Sequence, residues 1–182
     1  MPPMRLRRSV LAAAVFSATV TLPAVPTAFA RSACRHAAEV PLSVTQARSA
    51  TLCLLNVQRA DHGLAPLREE NHLQRAAVTY SHAMVRQRFF DHVAPNGSTL
   101  QQRIAQAGYR GWSTIGENLA WGSGRLATPA SIVDGWMHSP GHRANILDGT
   151  FDQIGVGIAS GAPMSGIGGS AAVYTTDFAR PE

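Results

Sequence analysis

Three short segments carry side chains able to move a proton or hold a cation. They are Phe89-Phe90-Asp91-His92-Val93-Ala94-Pro95, Gly116-Glu117-Asn118-Leu119-Ala120 and Trp136-Met137-His138-Ser139-Pro140-Gly141-His142-Arg143-Ala144-Asn145-Ile146. Each sets one such group among turn-forming residues, and together they nominate His92, Glu117 and His142 as one polar site. Imidazole nitrogen and carboxylate oxygen suit zinc or another divalent cation, and a catalytic zinc keeps one position open for water. Two histidines and one glutamate would supply three protein ligands. Equally, Glu117 could accept a hydrogen bond from one imidazole and fix its tautomer. Without metal, one neutral and one protonated histidine can serve as base and acid near neutral pH.

Plainer roles exist for each group. His92 can cap the helix behind it, Glu117 can accept backbone N–H bonds, and His142 can cap the turn after Pro140. Ser139 invites a serine-hydrolase triad with His142 and Glu117. However, the Gly-x-Ser-x-Gly elbow is absent and proline follows the serine directly. A serine there is expected to cap the Pro-Gly turn. The His-Glu-x-x-His pattern of zinc peptidases is missing as well. His36, His62, His72 and His138 are expected at the surface, and Asn145 is expected to organise backbone.

The elements that must position these groups can be read from spacing. A helix is expected from Ser43, where Ser43-x-x-Gln46 has the form of a capping box, to Asp61-His62-Gly63. Its inward stripe is Ala47, Ala50, Leu54 and Val57. A second helix is expected over roughly 71–88, burying Leu73, Ala77, Tyr80 and Met84. Ser98-x-x-Gln101 predicts a short third helix closed by Gly108, and Thr128-Pro129 opens a fourth. Residues 109–127 read as mostly loop or short extended pieces around Glu117. The period then changes to two, predicting strands over 153–159 and 171–178. Helices first and strands last favour one α+β or layered α/β/α domain.

In this order and at these spacings the motifs resemble the CAP superfamily, named for cysteine-rich secretory proteins, antigen 5 and pathogenesis-related 1 proteins. The resemblance is to the compact bacterial secreted, SCP-like members and covers Ala50 to Phe178. It includes Leu55-Asn56-x-x-Arg59-x-x-x-Gly63-Leu64-x-Pro66-Leu67, Ala107-Gly108-Tyr109 and Ile154-Gly155-Val156-Gly157 besides the three polar segments. It implies a single-domain α/β/α sandwich with helices mostly N-terminal, antiparallel strands C-terminal and a cleft on one side. Many members place two histidines and two acids in that cleft. His92, Glu117 and His142 match three of the four, but the position of the second acid is Ser139. Some members bind zinc or another divalent ion; others bind sterols or fatty acids; peptidase activity has been suggested for some. The expectations are therefore an extracellular binding module with a His/Glu/His cleft, a metal-assisted hydrolase, or a lipid or sterol carrier.

Composition places these readings outside the cytoplasm. Residues 1–30 read as a secretory signal: Arg5, Arg7 and Arg8, an apolar run from Val10 to Val20, and an Ala28-Phe29-Ala30 cleavage site. The run is shorter than the roughly 20 residues of a spanning helix. Cleavage would leave a 31–42 arm and a CAP domain over 43–180, with no membrane span. Cys34 and Cys53 suit one disulfide in an oxidising compartment. The chain has 16 Arg, no Lys and 11 acids; without the signal, 13 Arg face those 11 acids. No basic helix face is evident, so nucleic-acid binding is not supported. The expected partner is an extracellular ligand, a cell-envelope component or a lipid, and the expected state is a monomer.

Overall fold

A computed structural model describes residues 34–40, 43–167 and 170–182. The expected signal segment, 1–30, and the start of the arm lie outside the described residues. Helix α1 spans Val44–Asp61, with the Ser43 hydroxyl accepting from Gln46 N–H. Strand β1 is the short Arg68–Glu69. Helix α2, Asn71–Gln87, buries Leu73, Ala77, Tyr80 and Met84 as its spacing predicted, together with Ala76 and Ser81. Helix α3 is Leu100–Gln106. Its capping box is Thr99 with Gln102, one residue later than the expected Ser98 with Gln101. Both four-residue stretches end in glutamine, and the Asn96-Ser98 Asx turn already occupies the Ser98 N–H.

Strand β2, Trp112–Ser123, is one continuous strand where mostly loop or short extended pieces were expected over 109–127. A 3-10 turn, Gly124–Ala127, leads to α4, Pro129–His138, capped by Thr128. Helix α5, Pro140–Ile146, stands where a Pro-Gly turn was expected. Pro140 occupies the first helical turn, where its missing N–H costs nothing. Ser139 ends α4 and begins α5 through its backbone, without a side-chain cap. Strands β3, Gln153–Ser160, and β4, Ala171–Pro181, complete the fold.

The strands form one mixed sheet in the order β1-β3-β4-β2. β1 runs parallel to β3; β3–β4 and β4–β2 are antiparallel. Period-two alternation gives the sheet two different faces. Ile154, Val156, Ile158, Tyr174 and Phe178 point to one face, packed with Leu54 and Leu55 of α1, Trp136 of α4 and Ile146 of α5. On the other face Gly155 and Gly157 leave α2 room to lie on the sheet: a Cβ at either would stand 2.1 Å from α2 backbone carbon. Around them Leu73, Ala76, Ile104, Tyr109, Tyr80, Met84, Leu119 and Val173 fill the second layer. The domain is thus the expected α+β, three-layer sandwich. Cys34 and Cys53 form the expected disulfide, tying the arm to the middle of α1.

Candidate functional site

β2 is the edge of the sheet, and the functional side chains gather along it. Glu117 sits at its centre on the α2 face, directly across from Asp177 of β4. The loop after α2 brings in His92. That loop is fixed from inside the protein: Tyr80 Oη donates to Asp91 O at 2.6 Å, and Arg103 Nη1 donates to His92 O and Ser98 O, each at 3.0 Å. The Arg103 guanidinium lies over the Tyr80 ring, 3.4 Å from its centroid. Its Nη2 donates to Glu117 Oε2. One arginine therefore grips both the acid and the segment bearing the histidine.

His92 Nδ1 pairs with Glu117 Oε1 at 2.7 Å. The His92 side chain is 57% exposed, that of Glu117 only 3%. A buried carboxylate thus orients an accessible imidazole, and holding the proton on Nδ1 leaves Nε2 as a lone-pair donor. The Glu117 hydrogen bond shifts His92 upward from its ordinary pKa, against the opposing effect of burial.

His142 reaches the same region from the other face of the sheet. α5 is tied to β2 by two amides: Asn118 Nδ2 donates to His142 O at 3.0 Å, and Asn145 Nδ2 donates to Glu117 O and Asn118 Oδ1. Asn145 organises backbone, as expected. Burial and then the neighbouring His92 lower the His142 pKa. Glu117 thus pushes His92 up, while burial and then His92 push His142 down. His142 is neutral and able to donate a lone pair at neutral pH. No hydrogen bond joins Ser139 to His142 or Glu117 among the described residues, so the serine triad is not assembled.

Sequence reading did not nominate Arg103 or Asp177. Asp177 is fully buried. As a carboxylate it has no donor to accept from; as an acid its O–H can donate towards Glu117. Burial first, then the negative Glu117, holds it well above the usual carboxylate range, against the pull of Arg103. The available signal was a lone acid among the apolar and threonine residues of the strand expected over 171–178.

Both Glu117 oxygens are engaged inside the protein. Among the described residues no group of three or more His, Cys, Asp or Glu is set to hold a metal ion. The donors facing outward are the two imidazoles, so the fit to a metal is that of two nitrogens with Glu117 behind one of them. Elsewhere, a cavity of about 490 Å³ lies between the arm, α1 and α4, lined in part by Ala37, Leu54, Ala130, Val133 and Met137.

A three-layer α/β/α sandwich with one disulfide defines the class: a CAP-type, SCP-like domain. The sequence profile of the CAP family, the Cysteine-rich secretory protein family, matches residues 52–175, and the chain belongs to it. An uncharacterized Bacillus subtilis protein, YkwD, is 36% identical over 117 residues, which cover 64% of this chain and 44% of that protein. An uncharacterized membrane protein of the same organism, YlbC, is 32% identical over 114 residues, covering 63% and 32%. The chain spans less than half the length of either. An extracellular SCP-domain protein from Bacillus anthracis superposes with a TM-score of 0.60 at 26% identity, covering 77% of this chain and 44% of that one. An outer surface protein from Borrelia burgdorferi shares the fold, with a TM-score of 0.66 at 18% identity over 78% and 97% of the two chains.

Proposed function

We propose that the protein is an extracellular binding module whose His92–His142 edge holds a divalent cation or a small polar ligand. The observation that carries this reading is the Nδ1–Glu117 bond. It presents Nε2 of an exposed histidine beside a second histidine that burial keeps neutral. His92 and His142 would hold the cation, water or ligand would fill the remaining positions, and Glu117 would fix the His92 tautomer. A bound divalent ion would supply Lewis acidity. Two protein nitrogens make a weaker site than the three or four of a dedicated zinc centre. A hydrolase reading built on two carboxylates needs a free carboxylate near the water. Glu117 is occupied on both oxygens, and Ser139 stands where a second carboxylate would be.

Export through residues 1–30 belongs to the same proposal. It is supported by the disulfide and by relatives described as extracellular or outer-surface proteins. A second reading, carriage of a lipid or sterol, is favoured by the 490 Å³ cavity between α1 and α4.

Calorimetric titration of metal-free protein with zinc tests the cleft, beside a His92→Ala/His142→Ala variant and Glu117→Gln. The double variant is expected to lose the binding heat. Glu117→Gln is expected to weaken binding roughly 10- to 100-fold, the usual cost of losing an orienting partner. Equal affinity in all three would remove the cleft from the explanation.

A further inference from the structure

The sheet ends on one side in segments that lie together. β3 stops at Ser160, and Ala171, the first residue of β4, pairs with Ser123, the last of β2. Gly124 N–H donates to Ser170 O, and Gly161 N–H to Ala171 O. A Cβ at Gly161 would strike Val85, so the last turn of α2 reaches the same end.

Large apolar side chains face water here. Leu126 is 70% exposed, Met164 46% and Ile167 40%. Single exposed hydrophobics are ordinary on any protein. These three protrude from two neighbouring segments, the 3-10 turn and the β3–β4 connection, and their setting is cationic. Residues 71–90, 118–133 and 153–176 contain no Asp or Glu. At this end they contribute Arg86, Arg88 and Arg125, all exposed. Of the acids on adjoining segments, Asp91 accepts from Val93 N–H, Glu39 pairs with His36 and Asp134 with His138. Glu69, Glu70, Asp148 and Asp152 lie at the opposite end, around β1 and the start of β3.

We propose that this end of the domain docks on an anionic phospholipid surface. Leu126, Met164 and Ile167 enter the boundary between headgroups and acyl chains, and the three arginines meet lipid phosphates. A dissolved polyanion would satisfy the arginines but leave the apolar tips in water; a bilayer accepts both. The described helices are not long and apolar enough to cross a membrane, so the contact is peripheral. It uses none of the cleft residues and is independent of cation binding there.

The test uses the full chain with vesicles of phosphatidylglycerol whose acyl chains are brominated, and with plain phosphatidylcholine. In Leu126→Trp, the added indole is expected to be quenched by brominated acyl chains in phosphatidylglycerol vesicles, relative to the unsubstituted chain. Each arginine near an anionic surface contributes about fivefold to partitioning. Arg86→Gln/Arg88→Gln/Arg125→Gln in that background should therefore lower the quenching affinity by about a hundredfold. Arg110→Gln/Arg180→Gln, at the other end, should leave it unchanged. Three results overturn the proposal: no vesicle binding at low salt, binding without quenching at position 126, or displacement by soluble polyphosphate with the Leu126 substitution making no difference.

Discussion

Glu117 commits one oxygen to His92 and the other to Arg103, and Asp177 lies directly across from it with no donor of its own. Two carboxyl groups this close and this buried cannot both ionise cheaply. Arg103 favours charge on Glu117, so Asp177 keeps the proton. The folded Asp177 pKa is raised well above the ordinary aspartate value of 3.8, so folding holds a proton there that the unfolded chain releases. Its contribution is fully present below about pH 4 and is lost as pH rises towards the folded value. Asp177→Asn mimics the protonated acid at every pH. The variant should match the natural protein in acid and become progressively more stable than it as pH rises. The slope of the difference is at most about 1.4 kcal/mol per pH unit. Urea unfolding of both proteins from pH 4 to pH 8 measures this, and a difference that shrinks with pH would contradict the protonated assignment.

At the scale of elements, α2 bears the loop that carries His92, and α2 lies flat on the sheet only because Gly155 and Gly157 have no side chains. Gly157→Val would place a Cβ 2.1 Å from the Ala77 carbonyl carbon, and backbone cannot yield as a flexible side chain can. The expected loss is about 3 kcal/mol or more. Gly135→Ala on the exposed side of α4 meets nothing and should gain up to about 1 kcal/mol from helix propensity. Denaturant midpoints of the two variants check the contrast. The same elements show what a sequence reader can and cannot see. α1 and α2 announce themselves because each buries residues at helical spacing, and β3 and β4 because their side chains alternate in a two-residue rhythm between two buried faces. β2 does not: Gly116-Glu117-Asn118 interrupts its alternation with the residues that build the site. α5 hides behind Pro140-Gly141, which reads as a turn until Pro140 is placed at a helix start. His92, Glu117 and His142 were legible from their motifs. Arg103 and Asp177 reach Glu117 from a separate helix and by strand pairing, which no local spacing encodes.

Across the whole molecule, the two faces of the sheet hold different things. The Glu117 network lies under α2, whereas the disulfide and the arm lie beside α1 and α4 on the opposite face. Ala37 O accepts from Ala130 N–H at the start of α4, and the arm also walls the 490 Å³ cavity. Cys34–Cys53 closes a loop with a sequence separation of 19, worth about 3 kcal/mol through restriction of the unfolded chain. Cys34→Ala/Cys53→Ala should therefore lower the unfolding free energy by about that amount without disturbing the cleft. Hydrogen exchange separates the two effects. Under native conditions the Ala130 amide should exchange faster as the arm detaches, while α2 amides accelerate by no more than the global loss permits and zinc affinity stays the same. If the variant lost zinc affinity while remaining folded, the arm and the histidine edge would be coupled through the sheet, and the independence of the two faces would be refuted.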